Sequence, residues 1–401
     1  MIPRVLAFKN TQDIVREFRR IGVDAGGIRI MRGKAFERAV KVGQIPSFCA
    51  NILKQEMLSL GGDAALSRGS ITGADKKTEC LLLGNLSQYS QLIKKLKEQP
   101  FGLALLAGRI GACLSAFDRP ASLRIGDRHL YFGRRTHVMG IINVTRDSFS
   151  GDGILGLGAA DALARAQALV REGADFIDVG GESTRPGARG ISAKEEMARV
   201  LPLIKSFKRS LRAPFSIDTT KADVAQAALD CGAALVNDVS ALRDDSRMAK
   251  LIARSGAGVI LMHRKGLPRT MQVRPRYDDL ISEIYVFLRD AVKKALDSGI
   301  REDKIIVDPG IGFGKTLDHN LEILRRLLEF RSLGRPVLVG VSRKWFIGRL
   351  LGADVSQRAW GTAGAVAAAV ANGADIVRVH DVGEVKQVVR VADAVHKRAT
   401  R

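Results

Sequence analysis

The sequence predicts an α/β protein: a (β/α)8 TIM barrel preceded by a small α/β extension. Three observations carry that prediction. Residues 305–316 read IIVDPGIGFGKT, where β-branched residues run into an acid, a proline and three glycines. This describes a buried strand that stops abruptly in a backbone-rich loop. The same order, apolar run and then polar end, recurs in FIDVGGES (176–183), FSIDTTK (215–221), LVNDVS (235–240), VLVGVSRK (337–344) and IVRVHDV (376–382). Finally, strand patterns at 138–142, 175–179, 214–217, 233–237, 258–262, 305–308, 336–340 and 375–379 are each separated by enough chain for one crossover helix. Eight such units close a parallel sheet on itself, which favours the barrel over an open doubly wound sheet.

The intervening helices fall at 159–172, 221–230, 279–297, 318–330 and 358–371, and Gly173, Gly232, Gly299 and Gly373 sit where helix C-caps belong. Residues 1–135 lack this rhythm and form the extension; residues 136–401 form the barrel. Within the extension the pattern predicts helices over 11–20, capped by Thr11, over 47–60 and over 87–99, with a buried strand over 79–86. Residues 122–132 alternate about a Gly126-Asp127 turn and read as a hairpin below the first barrel strand.

The chain has 401 residues and a formal charge of +22, and residues 1–135 hold 23 basic against 11 acidic side chains. That surplus favours anionic partners. No block of five Lys or Arg occurs and aromatic residues make up only 5%, so nucleic-acid binding is not the expectation. Cys49, Cys80, Cys113 and Cys231 show no paired spacing, which points to reduced thiols rather than zinc or disulfides. Neither a secretory pattern nor a membrane-length apolar stretch is present, and a cytoplasmic location is expected.

Parallel strands that end in polar residues aim them at one mouth. Asp178, Asp218, Asp238 and Asp308 would ring that rim, with Asn143 closing the first strand, Asn237 beside Asp238 on the fourth and Met262 closing the fifth. Any one of these acids alone reads more readily as a helix cap or loop brace. Their recurrence suits a flat heterocycle with N–H edges, because a carboxylate accepts two parallel N–H bonds. Arg185, Lys315, Arg343, Lys344, Arg378 and His380 supply cations and an imidazole from other loops for a diphosphate. GIGFGKT looks like a nucleotide-binding loop, but Pro309 stands where that loop requires glycine.

Residues 137–397 resemble dihydropteroate synthases of folate biosynthesis. The resemblance rests on MGIINVTRDSFSGDG (139–153), DVGGESTRPGA (178–188), SIDTTKADVA (216–225), NDVSAL (237–242), LMHRKGLPRTMQ (261–272), DPGIGFGKT (308–316), VGVSRKWFIG (339–348) and GADIVRVHDV (373–382). It implies condensation of 6-hydroxymethyl-7,8-dihydropterin diphosphate with 4-aminobenzoate by a dissociative route assisted by Mg²⁺. It implies that Asp218, Asn237, Met262, Asp308, Phe313 and Lys344 hold the pterin. Asn143, Ser342, Arg378 and His380 would hold the diphosphate, with Asn143 also the magnesium ligand. Phe149, Thr184, Arg185 and Pro186 would fold over 4-aminobenzoate, Asp218, Lys344, Arg185 and Asp178 would serve catalysis, and a homodimer is implied.

Arg146 replaces a proline usual in that family, and Trp345 replaces a small or polar residue after Lys344. A related barrel that passes a methyl group from a methylated folate to a corrinoid protein is the nearest alternative. It has no diphosphate to hold, so SRK at 342–344 and RVH at 378–380 favour the synthase. A pterin-binding protein without turnover, using residues 1–135 as an interaction module, is the second alternative, and the intact loop motifs argue against it.

Overall fold

The computed structural model describes the chain apart from residues 1, 9, 119–120, 127, 146–158, 184–189, 267–269 and 397–401, and apart from the side chains at 159, 208 and 209. It contains two compact units, Met1–Ser115 and Ala116–Arg401.

In the first unit, strands β1 (Glu37–Pro46), β2 (Asp63–Leu66) and β3 (Lys77–Asn85) form an antiparallel sheet in the order β1-β3-β2. Six helices accompany it: α1 (Thr11–Ile21), α2 (Ala25–Met31), α3 (Ser47–Ser59), α4 (Arg68–Thr72), α5 (Leu86–Lys97) and α6 (Leu103–Asp118), the last running past the unit's end. Strand alternation puts Val40, Val42, Cys80 and Leu82 on one face, where they pack with Leu53 and Met57 of α3 and Leu92 and Leu96 of α5. The buried Tyr89 hydroxyl is shared between the carbonyls of Arg38 (3.0 Å) and Leu82 (2.8 Å) and ties α5 to β1 and β3. Asn10, not Thr11, caps α1, because its side chain accepts the N–H groups of Gln12 and Asp13.

The second unit opens with a hairpin of β4 (Ser122–Ile125) and β5 (Arg128–Tyr131). Eight parallel strands follow: β6 (His137–Asn143), β7 (Phe176–Gly180), β8 (Phe215–Asp218), β9 (Leu235–Asp238), β10 (Gly258–Met262), β11 (Ile305–Asp308), β12 (Leu338–Val339) and β13 (Ile376–Val379). Their order is β11-β10-β9-β8-β7-β6-β13-β12. A parallel bridge between Val307 and Val337, with the Val307 N–H donating to Pro336 O at 3.0 Å, joins the two ends and closes the barrel. The outer helices are α7 (Ala159–Arg171), α8 (Ala193–Ser210), α9 (Ala222–Asp230), α10 (Met248–Ser255), α11 (Leu280–Asp297), α12 (Leu317–Arg325), α13 (Trp345–Leu351), α14 (Ala359–Ala371) and α15 (Val382–His396). The four glycines read as C-caps all take positive φ.

Side chains two apart on a strand share a face, so a barrel strand that sends one residue to the floor sends the next but one toward the mouth. Met139, Phe176, Leu235, Ile260, Ile306, Leu338 and Ile376 make the apolar floor. Leu123, Ile125 and Phe132 from the hairpin segment complete that layer, so the hairpin plugs the barrel from below and belongs to its unit. Two residues beyond the floor stand Asp178, Asn237, Met262, Asp308 and Arg378. Truncating the plug in Phe132→Ala should cost about 3–5 kcal/mol of barrel stability in urea unfolding, as for other buried Phe→Ala changes. A loss below about 1 kcal/mol would contradict the plug's role.

Candidate active site

The centre of the mouth is a buried cluster of two carboxylates and one guanidinium. In the parallel register Asn143 lies beside Gly180, Gly180 beside Asp218 and Asp218 beside Asn237, which makes one row across four strands. Asp178 lies one layer deeper and is fully buried. It accepts hydrogen bonds from the Ser216 hydroxyl, from Asn237 Nδ2 at 3.0 Å and from Arg378 Nε at 2.6 Å. The second arm of Arg378, Nη2, donates to Asp218 Oδ2 at 2.9 Å. Asp218 Oδ1 is buried with no hydrogen-bond partner among the described residues, leaving one acceptor uncommitted. Burial, with Asp178 adding to it and Arg378 opposing, pushes the Asp218 carboxyl up to about 7.

Across the mouth, Asp308 ends β11 and its Oδ1 accepts the Gly310 N–H at 2.7 Å. Burial raises Asp308 to about 6 despite the Gly310 N–H, Lys344 and Lys315. Phe313, from the loop after Asp308, packs with Met262, Met271 and Val239 in a small apolar cluster. The Lys344 ammonium stands 4.2 Å from the centroid of the Phe313 ring. The loop lies tight against the chain after β10: a Cβ on Gly310 or Gly314 would collide with the carbonyls of His263 and Lys265. Both glycines also have positive φ, so no other residue fits either position.

A third group comes from the loops after β12 and β13. Ser342 Oγ is 3.0 Å from His380 Nδ1 and accepts the His380 N–H at 3.3 Å. Between Ser342 and Lys344, Arg343 holds φ at +56. Its N–H donates to Thr362 Oγ1 at 3.1 Å, its carbonyl accepts Arg358 Nη1 at 3.2 Å, and its guanidinium pairs with Asp381 at 2.5 Å. This fixed turn separates the serine from the lysine.

The structure thus brings together Asp178, Asp218, Asn237, Met262, Asp308, Phe313, Lys344 and Arg378, pairs Ser342 with His380, and sets Asn143 at the rim. Phe149, Thr184, Arg185 and Pro186, along with Arg146, lie outside the described residues. Asp178 is completely enclosed and holds Asn237 and Arg378 in place. Three expectations are corrected. Asp238 faces away from Asn237 and braces its own loop through the N–H groups of Ser240 (2.8 Å) and Leu242 (2.7 Å). Lys315 is buried against His263 (2.9 Å) and the Phe313 carbonyl (3.0 Å), so it is not a mouth cation. Arg343 is committed to Asp381. Val239 and Met271 were not singled out as wall residues, although both lie within or beside the quoted motifs.

A family model described as pterin binding enzyme matches residues 139–380. The dihydropteroate synthase of Synechocystis sp. is 46% identical over 277 residues, covering 69% of this chain and 96% of that protein. A probable bifunctional folylpolyglutamate synthase/dihydropteroate synthase of Halobacterium salinarum is 40% identical over 375 residues, covering 94% of this chain and 45% of that protein. Its likeness therefore takes in the N-terminal unit. A solved dihydropteroate synthase of Xanthomonas albilineans with 4-aminobenzoic acid superposes with a TM-score of 0.63 at 39% identity, covering 69% of this chain and 98% of that one. The chain belongs to the family of pterin-binding enzymes and, within it, to the dihydropteroate synthases.

The raised Asp218 carboxyl has a thermodynamic signature. Between its unfolded pKa near 3.8 and its folded pKa of about 7, the folded state holds the extra proton, so this group's contribution to stability falls as pH rises through that window. Asp218→Asn removes the titration. The melting temperature of the variant relative to the parent should therefore be higher at pH 8 than at pH 5; a difference that shrinks or reverses with rising pH would contradict the assignment.

Proposed function

We propose that this transferase condenses 6-hydroxymethyl-7,8-dihydropterin diphosphate with 4-aminobenzoate, releasing 7,8-dihydropteroate and diphosphate. The observation that carries the reading is a recessed row of hydrogen-bonding groups (Asp218, Asn237 and Asp308) beside the Met262–Phe313 wall, with Lys344, Arg378, Ser342 and His380 close by. A pterin needs acceptors for its N–H edges and apolar contact for its faces, and its diphosphate needs cations and donors.

In the proposed route the pterin methylene C–O bond breaks first and the electron pair leaves with the diphosphate, held by Arg378, His380 and Ser342. Asp218 faces the methylene cation that results and stabilises it electrostatically. Drawing Arg378 toward the diphosphate would free Asp218 for that task. The amine of 4-aminobenzoate attacks, the C–N bond forms, and the amine proton passes to diphosphate or water. Asp178 is the positioning acid beneath Asp218. Thr184, Arg185, Pro186 and Phe149 are the proposed partners of 4-aminobenzoate, the ligand named in the Xanthomonas structure.

Asn143 fits a Mg²⁺ ion carried with the diphosphate. Its amide oxygen and Asp218 flank Gly180, whose Cβ would lie 3.7 Å and 3.8 Å from Asn143 Oδ1 and Asp218 Oδ2. Among the described residues no cluster of three His, Cys, Asp or Glu offers an all-protein metal cage. One amide oxygen completed by diphosphate and water suits this cation, which would offset charge on the leaving group.

A homodimer is supported by the exposed Leu350, Leu351 and Trp360 on α13 and α14. The free thiols of all four cysteines support a reducing compartment such as the cytoplasm, and no helix among the described residues is long and apolar enough to cross a membrane.

Chromatography of the reaction should show dihydropteroate only when the pterin diphosphate, Mg²⁺ and 4-aminobenzoate are all present. Asp218→Ala and Lys344→Ala should each lower kcat/KM by at least about 10²-fold with circular dichroism unchanged. Parent-like turnover in either variant would remove that residue from the site.

A further inference from the structure

One fully buried ionisable side chain behind the mouth is not one the reaction uses. Lys315 is fully buried, and its Nζ donates to the carbonyl of Phe313 at 3.0 Å and lies 2.9 Å from His263 Nδ1. Phe313 belongs to the loop after β11, whereas His263 immediately follows Met262 at the end of β10. One amine therefore stitches the two segments that carry the Phe313 and Met262 sides of the apolar cluster.

The rest of the loop is held as closely. Gly312 O accepts Gln272 Nε2, Gly314 O accepts the Tyr277 hydroxyl at 2.8 Å, and the Gly312 N–H donates to Asn320 Oδ1 at 2.7 Å. His263 is fixed from behind by an edge-on contact with Phe287, ring centroids 4.8 Å apart. Phe313 itself is held by its N–H to Gly310 O at 3.2 Å, within the loop, and by the bond from Lys315 to its carbonyl, which leads to the β10 side.

We infer that Lys315 is a positioning residue that sets the width of the pterin slot by tying the Phe313 carbonyl to His263. The inference rests on the proposed pterin reading and extends it to a residue that touches neither substrate. A buried lysine is an expensive way to hold a loop, since burial penalises its charge. Burial brings the Lys315 amine down to about 7 and holds His263 well below the ordinary histidine value, with Lys315 adding to that effect. One hydrogen bond joins the two nitrogens, its direction set by the imidazole tautomer, and the bond from Lys315 to the Phe313 carbonyl holds in either case.

Lys315→Met keeps the buried volume and removes the donor, leaving the Phe313 carbonyl without its partner. It should raise KM for the pterin diphosphate about tenfold and change KM for 4-aminobenzoate, at saturating pterin diphosphate, by less than about twofold. Lys315→Gln, which keeps an N–H donor, should recover part of the loss. In a Phe313→Leu background the Lys315 substitution should add little further loss, because its effect passes through Phe313. If Lys315→Met does not fold, Lys315→Gln alone and in the Phe313→Leu background provides the same cycle. An unchanged pterin KM, or equal losses in both backgrounds, would overturn the inference. Calorimetric binding of the pterin diphosphate repeats the comparison without turnover, so an inactive parent that binds it would count against the reaction and not against Lys315.

Discussion

The site depends on one arrangement: two buried carboxylates on neighbouring strands sharing one guanidinium. A bare carboxylate inside a barrel costs several kcal/mol, and a pair repel each other as well. Arg378, reaching from β13 to both Asp178 and Asp218, makes the pair tolerable. The compensation is uneven. Asp178 receives three hydrogen bonds, while Asp218 keeps one oxygen buried with no partner among the described residues. One acid is thereby a fixed support, and its neighbour is left with capacity for a ligand.

Strand periodicity explains how such a cluster is assembled reliably. Phe176 and Asp178, Leu235 and Asn237, Ile306 and Asp308, and Ile376 and Arg378 are each two residues apart. Burying the first of each pair in the floor obliges the second to face the mouth. The hairpin plug and the polar layer are therefore consequences of one register, and a slip of a single residue would dismantle both. The loops are fixed by different means. Gly310 and Gly314 allow close backbone approach, and Arg343 holds a left-handed turn through bonds to Thr362, Arg358 and Asp381.

Much of this was legible in the sequence, for physical reasons. The barrel strands announced themselves because parallel strands buried on both sides read as apolar runs with polar ends. The first unit was read less fully, since its half-exposed strands carry a weaker signal. β1 and α6 are not among the elements predicted above, although Val40 and Val42 alternate with exposed residues. Asp238 illustrates a limit at the site. Adjacent to Asn237, it must face the opposite way, and strand period alone could have ruled it out. The bond from Arg378 to Asp178 joins strands at opposite ends of the barrel sequence, and no local pattern reveals which acid an arginine will choose. Lys315 has the same lesson: a loop lysine beside glycines looks like an anion binder until its burial is known.

The central claim is that the inward polar layer recognises a pterin ring. The most direct test is calorimetric binding of an unreactive pterin that lacks the diphosphate, comparing the parent with Asn237→Leu. The substitution removes an inward donor and acceptor while leaving Arg378 on its carboxylates. Binding by the parent that weakens at least about tenfold in the variant is the predicted result. Equal affinity in both proteins would contradict the account and place the pterin elsewhere.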